Sequence, residues 1–401
     1  MKRFEVICCQ GVVSLGIGGP GDHNARGETM AAVVIKAVDD RSKQKCFIEM
    51  PGRIYLNDPA WVPPLFFERK QFLSPHNPYF EHARYKAWVA FRNGDPVGRI
   101  SAQIDDLHLE RYRDDTGFYG MLEAEDDPAI FEALFKTAES WLREQGIRRV
   151  RGPFNLSINH ECGMLVDGFH TPPMVMMGHA RPYYKRRIEQ QGYQGEIDLL
   201  AYLAPTAFSF SPAMKSIIQR YADTISVRSF KFAKLEKDLA ILKDIFEDAW
   251  STNWGFLPFT DQELKHLGRD LKQFVPEEFV AFAEIDGRPM GFIAVFPNLY
   301  EAMRDLGGRL LPFGWLKLLW RLKKNGAITT LRVPLMGVRR ECHDSLTGAA
   351  LALSLIAHVQ KVALKRAYEQ VEMSWILEDN KGMRNMIETI GGNAYKRYRI
   401  F

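Results

Sequence analysis

Cysteine is scarce in this sequence of 401 residues, and its positions match no pattern typical of metal ligands or of disulfide frameworks. The five cysteines form no C-x-x-C pair and no Cys/His ligand spacing: Cys8, Cys9, Cys46, Cys162 and Cys342. The sequence therefore predicts neither a metal site nor disulfide bonds. This cysteine usage fits a protein of the reducing cytoplasm.

Long hydrophobic runs and a strong excess of one charge are also missing. No apolar run reaches the roughly 18 residues that cross a bilayer, and the N-terminus lacks the apolar segment and cleavage site of a signal peptide. We therefore expect any membrane contact to be peripheral. The net charge of +4 is too small to indicate a nucleic-acid partner, but it is compatible with phosphate groups or lipid headgroups as ligands.

The composition is that of a globular chain, with 46% hydrophobic and 25% charged residues. A single hydrophobic core seldom fills 401 residues, so the length predicts two domains. We expect an N-terminal domain at 30–203 and a C-terminal domain at 204–401. The Gly-rich residues 1–29 are either a disordered arm or lie upstream of a natural start at Met30, and the sequence leaves both interpretations open.

The N-terminal half alternates strand patterns with helix patterns. Asn93-Gly94 separates two alternating segments and predicts a β-hairpin. Asp127 followed by Pro128 predicts a helix start between the strand-like segments TGFYGMLEA and IRRVRGPF. Because a helix connects these two strands, we expect them to be parallel. The prolines of the stretch 57–80 predict that no regular element forms there.

The C-terminal half repeats this architecture without repeating the sequence. It contains a strand pattern, two helix patterns, a hairpin at Asp286-Gly287, and then strand, helix, strand, helix and strand patterns. One of these helices is predicted at Gly348–Arg366. The chain is therefore predicted to be α/β, with mixed sheets in two domains.

Four segments of the C-terminal half resemble the core of the GNAT acyl-CoA N-acyltransferases: VRRECHDSLTGAALALSLIAHV, ILEDN, KGMRNMIETIGG and YKRYRIF. In that family a loop with the pattern Q/R-x-x-G-x-G/A precedes a long helix, and its backbone N–H groups hold the pyrophosphate of coenzyme A. Here Ser345 replaces the Gln or Arg, whereas Gly348 and Ala350 are kept. The resemblance implies two tandem GNAT-like domains, with acyl-CoA as the cosubstrate of the C-terminal domain.

The resemblance also implies which residues bind the cosubstrate. Small residues at Gly348 and Ala350 would let phosphate oxygens approach the backbone donors. Arg339 and Arg340 would supply the charge that is lost at Ser345. A residue at the end of the next strand, here Asn380, would face the thiol-bearing arm. The full predicted set is Val338, Arg339, Arg340, Ser345, Gly348, Ala349, Ala350 and Asn380.

The segment RGPFNLSINHECGMLVDGFHTPPMVMMGHARPYY, residues 151–184, resembles the group of tandem GNAT-like proteins that contains the bacterial ceramide synthases and their YghO-type relatives. The segments DPAWVPPLFFERKQFLSPHNPYF and AWSTNWGFLPFTDQEL resemble the same group, so the resemblance covers nearly all of 30–401. It implies transfer of a fatty acyl chain from a thioester to the amine of a sphingoid base such as 3-oxosphinganine.

The N-terminal half is not expected to bind coenzyme A. Its turn before the corresponding helix carries four carboxylates, which would repel a pyrophosphate: Glu123, Glu125, Asp126 and Asp127. We therefore interpret this half as a degenerate partner domain that contributes to the acceptor site.

Polar residues are dense between Asn155 and Tyr184, and five of them are candidates for catalysis. Glu161 or His179 could be the general base, and Asn155 or Asn159 could orient the acceptor or polarise the carbonyl. Tyr184 could protonate the leaving thiolate.

Two alternatives to this assignment stay open. The whole segment could be a structural loop that caps turns and covers the domain interface. Cys162 and His179 could instead form a nucleophilic pair that carries an acyl group.

The insertion 298–328 contains an amphipathic helix pattern. Leu311, Trp315, Leu318, Leu319 and Leu322 share one helical face, which Phe313, Leu316 and Trp320 widen, with Lys317, Arg321 and Lys324 opposite. A basic helix with Trp at its apolar edge can lie on an anionic membrane, here the cytoplasmic face of the inner membrane. The alternative is an ordinary helix that packs on the domain or on a second subunit.

The expected partners are a long-chain acyl thioester and an amine-bearing lipid acceptor. The donor is acyl-CoA or an acyl carrier protein, which Lys185, Arg186 and Arg187 could contact. Two other functions compete with this one. The protein could acylate a soluble amine or amino acid, or it could bind acyl thioesters or lipids without catalysis.

Overall fold

The computed structural model of the protein describes residues 31–324 and 326–401. Both interpretations of residues 1–29 lie outside these described residues. Residues 33–401 cluster as one unit, which contains two large sheets and the helices that pack against them.

The first sheet contains five strands, which follow the chain in the order β1-β2-β3-β4-β5. Their bounds are β1 Val34–Ala37, β2 Ala83–Arg92, β3 Asp95–Asp105, β4 Thr116–Ala124 and β5 Arg149–Arg151. Neighbouring strands are antiparallel except for β4 and β5, which are parallel as predicted. The predicted hairpin is also confirmed, because Asn93 and Gly94 both have the positive φ angles that a tight turn between β2 and β3 requires.

Five helices accompany this sheet: α1 Arg41–Ile54, α2 Phe66–Phe72, α3 Asp106–Tyr112, α4 Pro128–Glu144 and α5 Tyr184–Glu189. Helix α4 begins as predicted, with the Asp127 carboxylate accepting a hydrogen bond from the Ala129 N–H at 2.8 Å. Its buried face packs on the sheet through Ile130, Phe131, Leu134, Phe135, Ala138 and Leu142.

The prediction that no regular element forms in 57–80 was wrong. Helix α2 fits between Pro64 and Pro75, so no proline lies inside it, and its first N–H, that of Phe66, donates to the Gly308 carbonyl at 2.9 Å. A distant part of the chain thus supplies the acceptor that the start of this short helix needs.

The second sheet contains eight strands in the order β10-β11-β12-β13-β14-β9-β15-β8. Their bounds are β8 Met164–Asp167, β9 Ile197–Pro205, β10 Ile225–Ser229, β11 Val280–Ile285, β12 Arg288–Pro297, β13 Thr330–Val338, β14 Gln370–Leu377 and β15 Asn393–Ile400. Two short strands, β6 Phe154–Asn155 and β7 Glu161–Cys162, pair separately. Among the described residues, seven further α-helices follow: α6 Pro212–Arg220, α7 Leu235–Trp250, α8 Asp261–Phe274, α9 Leu299–Met303, α10 Gly314–Lys323, α11 Leu346–Lys365 and α12 Lys381–Thr389.

Strand β9 runs across the predicted domain boundary at 203/204. It pairs with β14 on one side and with β15 on the other, while β8 pairs with β15 at the sheet edge. Two strands that precede most of the C-terminal half therefore belong to the larger sheet. The predicted division into domains stays a prediction, and these pairings add that the two halves of the chain share this sheet.

Helix α11 connects the parallel strands β13 and β14 and packs on the sheet through seven buried residues. By length and composition alone it is long and apolar enough to cross a membrane. The prediction that no segment reaches that limit was therefore too strict. The core helix of a sheet meets the same criterion, because one of its faces must be apolar.

The parallel pair β13–β14 opens partway along its length. Its ladder runs from Thr330 opposite Gln370 to Val333 opposite Met373 and ends there, although both strands continue. The next residue of β13 is Pro334, which has no N–H and cannot extend the ladder. The two strands separate beyond this point, and we call the point of separation the vertex.

Candidate active site

A cavity of about 530 Å³ lies between the separated ends of β13 and β14, beneath α11 and α12. Strand β13 lines it with every residue of 333–338 except Leu335. Strand β14 lines it with residues 373–377. One end reaches the N-terminus of α11, and the other reaches Thr206 and Phe208 beyond the base of β14. The cavity size is within the usual range for small-molecule sites.

The end of the cavity at α11 offers backbone donors. Ser345 is the N-cap residue: its hydroxyl accepts from the Gly348 N–H at 3.0 Å and donates to the Cys342 carbonyl at 2.6 Å. The N–H groups of Leu346 and Thr347 belong to the first turn, where a helix has no internal acceptors for them. A helix N-terminus of this kind attracts phosphate, although Asp344 also lines this end of the cavity.

The structure corrects the reason why residue 348 is glycine. A Cβ atom at Gly348 would lie 2.0 Å from the carbonyl oxygen of Cys342, so a side chain would collide with the chain's own backbone. The absence of a side chain at this position therefore serves the turn before α11. The prediction attributed it to the approach of a phosphate.

Arg339 and Arg340 do not face the cavity. Arg339 forms an ion pair with Asp244 of α7 and donates to the Pro289 carbonyl at 2.9 Å. The Arg340 side chain lies 3.6 Å from Asp248, also on α7. The expectation that these arginines replace the charge missing at Ser345 stays a prediction, and α7 presents carboxylates that already pair with both.

Five of the eight predicted cosubstrate residues line the cavity: Val338, Ser345, Gly348, Ala349 and Asn380. The side chain of Asn380 caps α12, where it accepts from the Met383 N–H at 3.1 Å. Ala350 is fully buried. The role of these five residues in binding a cosubstrate stays a prediction, and the other three do not line the cavity: Arg339, Arg340 and Ala350.

Beyond the vertex, the cavity continues as an apolar groove between α11 and α12. Helix α11 contributes Ala352, Ile356, Val359 and Ala363, and α12 contributes Met383, Met386, Ile387 and Ile390. Gln360 closes the far end, where its amide donates to the carbonyls of Thr206 and Phe208 at 3.0 and 2.7 Å. About four turns of α11 separate its N-cap residue Ser345 from Gln360.

A buried polar cluster lies on the opposite face of the sheet at the same vertex. Arg332 of β13 lies opposite Glu372 of β14 in the ladder. Ser374 is two residues after Glu372 on β14, so the two side chains are on the same face of the sheet. Arg332 Nε donates to Ser374 Oγ at 2.8 Å, and Ser374 Oγ donates to Glu372. Tyr395 donates to the other oxygen of Glu372.

The segment 151–184 covers this cluster. Arg332 donates to the Val175 carbonyl at 2.8 Å, and Lys396 donates to the carbonyls of Thr171 and Pro172 at 3.1 and 2.6 Å. Burial lowers the pKa of Arg332, and it lowers that of Lys396 to about 8.

The sequence analysis missed this cluster. Its only sequence signal is a charged residue within each of two buried strand patterns, TLRVPLMGV and QVEMSWIL.

The predicted catalytic residues of segment 151–184 do not converge on one point. Only Asn155 and Glu161 are in contact, with the Asn155 amide donating to Glu161 at 2.9 Å. Burial alone would raise the pKa of Glu161, but the charge of Arg69 at 2.9 Å and the Asn155 hydrogen bond lower it. A lowered pKa makes this carboxylate a weaker base.

His179 and Tyr184 are connected through Tyr55, whose hydroxyl contacts both the His179 carbonyl and the Glu123 carboxylate. His179 Nε2 lies 3.0 Å from Asp58, and burial lowers the pKa of the imidazole despite this carboxylate. The Tyr184 hydroxyl donates to Glu123 at 2.8 Å and accepts from the Ala124 N–H at 3.0 Å. This hydroxyl is fully engaged inside the first half of the chain, away from the cavity at the vertex.

Asn159 and Cys162 contact the second half of the chain. The Asn159 amide donates to the Leu257 carbonyl at 3.2 Å. Cys162 is buried beside Trp375, and burial raises the pKa of its thiol to about 12. The thiol is therefore protonated at neutral pH, which argues against the alternative of a Cys162–His179 nucleophilic pair.

Carboxylates of the turn before α4 contact other residues of the first half of the chain. Glu123 is buried against Tyr55 and Tyr184, and burial raises its pKa to about 6. Asp126 pairs with Arg186 and Arg187. Three of the four carboxylates predicted to exclude a pyrophosphate thus have partners within this half of the chain: Glu123, Asp126 and Asp127, the last with Arg92. All three residues of the basic triplet 185–187 have ion-pair partners within the chain, because Lys185 lies 4.0 Å from Glu189.

Helix α10 has no buried residue, and its exposed face is apolar. Leu318 and Leu322, which were predicted on the apolar face of this helix, are half-buried. Lys317 and Arg321 pair with Asp305. We call the exposed set the α10 surface: Leu311, Phe313, Trp315, Leu316, Leu319 and Trp320.

Comparison with solved structures identifies the fold. The chain superimposes on a tandem GNAT protein from the clavulanic acid biosynthesis pathway with a TM-score of 0.50 and 13% identity, covering 92% of this chain and 97% of that one. A GCN5-related N-acetyltransferase from Sphaerobacter thermophilus gives a TM-score of 0.50 at 12% identity, covering 92% and 94%. A GCN5-related glucosamine N-acetyltransferase region of a fungal β-N-acetylglucosaminidase gives 0.55 at 12% identity, with 93% of this chain and 38% of that longer chain. The fold is that of tandem GNAT N-acyltransferases.

Sequence comparison identifies the family. The chain is 47% identical over 369 residues to Protein YghO of Escherichia coli strain K12, covering 92% of this chain and 94% of that protein. It is 43% identical over 376 residues to Bacterial ceramide synthase of Caulobacter vibrioides strain NA1000 / CB15N, covering 93% and 98%. No family model matches the chain. The chain belongs to the family of these two proteins, and it is an N-acyltransferase.

Proposed function

We propose that the protein transfers a long-chain fatty acyl group from acyl-CoA to the amine of a sphingoid base, such as 3-oxosphinganine, at a membrane surface. The observation that carries this proposal is the continuity of the cavity. A cluster of helix N-terminal donors at one end leads past the vertex into an apolar groove. An acetyl group would leave that groove empty, whereas a long acyl chain would fill it.

The donor fits this cavity as follows. The first-turn N–H groups of α11 face the pyrophosphate, aided by the partial positive charge of the helix end. Between the separated strands, backbone groups that no longer pair with each other are free to bond the amides of the pantetheine arm. The thioester then lies at the vertex, and the acyl chain follows the groove toward Gln360.

The acceptor assignment is supported by the family. The relative from Caulobacter vibrioides bears the name ceramide synthase, and a ceramide contains a fatty acyl amide of a sphingoid base. We place the acceptor at the covered face of the vertex, beneath segment 151–184, because the buried polar cluster there is the nearest hydrogen-bonding environment for an amine. In this position the amine nitrogen approaches the thioester from the face opposite the groove.

The α10 surface supports contact with a membrane. Leu311, Phe313 and Trp320 are 80%, 73% and 59% exposed, and Lys324 lies 4.6 Å from the Trp320 ring. Phe67 of α2 is 62% exposed, and its neighbour Phe66 bonds to Gly308 close to this surface. Apolar side chains with basic residues beside them suit an anionic leaflet, and the cytoplasmic face of the inner membrane is such a leaflet.

One reconstitution tests the donor and the acceptor together. Purified protein is incubated with palmitoyl-CoA and 3-oxosphinganine in vesicles, and both free thiol and amide product are measured by mass spectrometry. We expect equimolar thiol and amide. Parallel reactions replace the lipid amine by soluble amines and the donor by acyl carrier protein. Amide formed only on soluble amines would overturn the acceptor, and turnover only with acyl carrier protein would overturn the donor.

A further inference from the structure

Ser374 is the one residue that belongs to both the cavity and the buried cluster. It follows Met373, the last residue of β14 that pairs with β13, so it lies at the vertex itself. It is among the cavity-lining residues, and its hydroxyl bonds to Arg332 and Glu372. The cavity wall and the buried cluster therefore meet at this residue.

The cluster behind Ser374 is costly to maintain for structural reasons alone. Arg332 is 3% exposed, and Glu372 and Ser374 are 0% and 1% exposed. Burying a guanidinium and a carboxylate costs several kcal/mol of desolvation per ion, and apolar residues of the same volume often give an equally stable core. Buried charges beside a cavity are typical of functional sites.

We propose that Ser374 is a catalytic residue that relays a proton between the reacting groups and Glu372, and that Arg332 is a positioning residue. The proposal rests on the N-acyl transfer described above. Arg332 Nε donates to Ser374 Oγ, and its Nη2 donates to the Ser374 carbonyl at 3.1 Å. These two bonds leave the hydroxyl hydrogen directed at Glu372, which itself has no exposed surface.

The bonds and protons of the proposed reaction balance within the site. The amine nitrogen attacks the thioester carbon, and the C–N bond forms. The amine proton passes to Ser374 Oγ while the serine's own proton passes to Glu372. The C–S bond then breaks with its electron pair on sulfur, and the proton returns from Glu372 through Ser374 to the thiolate. The products are the amide and the free thiol, and Glu372 is again a carboxylate, so no further reactant is needed.

Three variants test the relay: Ser374→Ala, Ser374→Thr and Tyr398→Phe. Ser374→Ala removes the relay hydroxyl, and Ser374→Thr keeps it. Tyr398→Phe removes another buried hydroxyl near the cluster, one that has no hydrogen-bond partner among the described residues. Each variant is checked by thermal unfolding and by titration with acyl-CoA. The kinetic readout is thiol release with any amine that the wild-type protein accepts.

We expect Ser374→Ala to lower kcat by about 10²- to 10⁴-fold, the usual contribution of a positioned proton-transfer group, with the KM for acyl-CoA unchanged. Ser374→Thr should recover most of this loss, and Tyr398→Phe should match the wild type. Equal kcat values for Ser374→Ala and the wild type would overturn the relay. So would an acyl-serine adduct in the wild type, because that would make Ser374 a nucleophile.

The relay and the proposed function fail in different ways. If the wild-type protein acylates a soluble amine but no lipid amine, the acceptor assignment fails while the comparison of variants still tests the relay. If the wild type forms the expected lipid amide and Ser374→Ala forms it equally fast, the relay fails alone.

Discussion

Single residues at the donor end of the cavity depend on one close contact between backbone segments. A methyl group at position 348 would meet the Cys342 carbonyl at 2.0 Å, and backbone cannot move aside as a flexible side chain can. We therefore expect Gly348→Ala to displace the first turn of α11 and to weaken acyl-CoA binding about tenfold or more, since overpacking of this kind typically costs about 1–3 kcal/mol. Calorimetric titration with acyl-CoA measures the loss.

Gly382→Ala is the matched control for this variant. Gly382 also lines the cavity, but an added methyl there would have only Asn380 near it, at 4.0 Å. Its affinity for acyl-CoA should therefore stay close to that of the wild type. If both variants bind equally well, the close contact at Gly348 does not govern the donor site.

Residue identities were only partly predictable. The family pattern placed Ser345, Gly348 and Asn380 in the donor site. It could do so because it depends on the order of loop, helix and strand along the chain. Glu372 and Ser374 could not be found in this way, because their meeting with Arg332 depends on the register of a parallel pair that joins distant segments. Arg339 and Arg340 form ion pairs with two carboxylates of α7. The sequence does not show which carboxylates of α7 will lie beside these arginines.

At the scale of elements, α10 is expected to carry the protein onto membranes. Leu316→Glu combined with Trp320→Glu should reduce binding to phosphatidylglycerol vesicles about tenfold or more, because each buried apolar side chain contributes about 1.5–3 kcal/mol. Sedimentation with the vesicles measures binding. Acylation of a short-chain amine in free solution should be retained.

Leu364→Glu provides the control for α10. Leu364 is 48% exposed on α11, much like Leu316 at 49%, but it lies outside the α10 surface. Its vesicle binding should match that of the wild type. Equal losses in both proteins would mean that the added negative charge, and not the α10 surface, determines binding.

The groove along α11 should determine which acyl chains fit. Ile356 is half-buried and lies one turn of α11 before Gln360, between it and Gly348. Ile356→Trp should shift the preference toward shorter chains, and Ile356→Ala toward longer or bulkier ones. Each methylene group excluded from the groove should lower affinity about fourfold, the equivalent of about 0.8 kcal/mol.

Competition among acyl-CoA donors of graded length measures this preference. An unchanged profile in both variants would show that the acyl chain lies elsewhere.

Local signals predicted most elements well. The hairpins at Asn93-Gly94 and Asp286-Gly287 and the cap at Asp127 depend on a few adjacent residues, and all three formed. Helix α2 was missed because its first N–H bonds to Gly308, more than two hundred residues away in sequence. Long-range partners of this kind leave no periodic pattern in the sequence.

At the scale of the whole molecule, His82 connects the two halves of the chain. Its ring lies 3.1 Å from Asp105 of β3 and 3.3 Å from Glu263 of α8. Burial opposes protonation, but these two carboxylates raise the pKa of His82 from 6.5 to about 10. The folded protein therefore holds the proton more tightly than the unfolded chain does.

The sign of the pH dependence follows from this shift. The stabilisation by His82 is fully present below pH 6.5 and is lost as the pH rises through about 10. We expect His82→Gln to lower the free energy of unfolding by about 3 kcal/mol at pH 6, with a smaller difference at higher pH. Urea unfolding between pH 6 and 10 measures both proteins.

His266→Gln is the control for this measurement. His266 lies on α8 with its side chain 48% exposed, 3.7 Å from Asp270, and an exposed pair of this kind contributes less than about 1 kcal/mol. A difference between the wild type and His82→Gln that does not change with pH would contradict the assignment.

Both halves of the chain contribute strands to the larger sheet, and this has a consequence for synthesis on the ribosome. Strands β8 and β9 have been translated by residue 205, but their partner β15 begins only at Asn393. At about 5–20 residues per second, these strands wait on the order of 10–40 s before their neighbours exist. During that interval their edges and apolar faces are open to the solvent. The nascent chain is therefore an expected client of chaperones that hold exposed strands until translation ends.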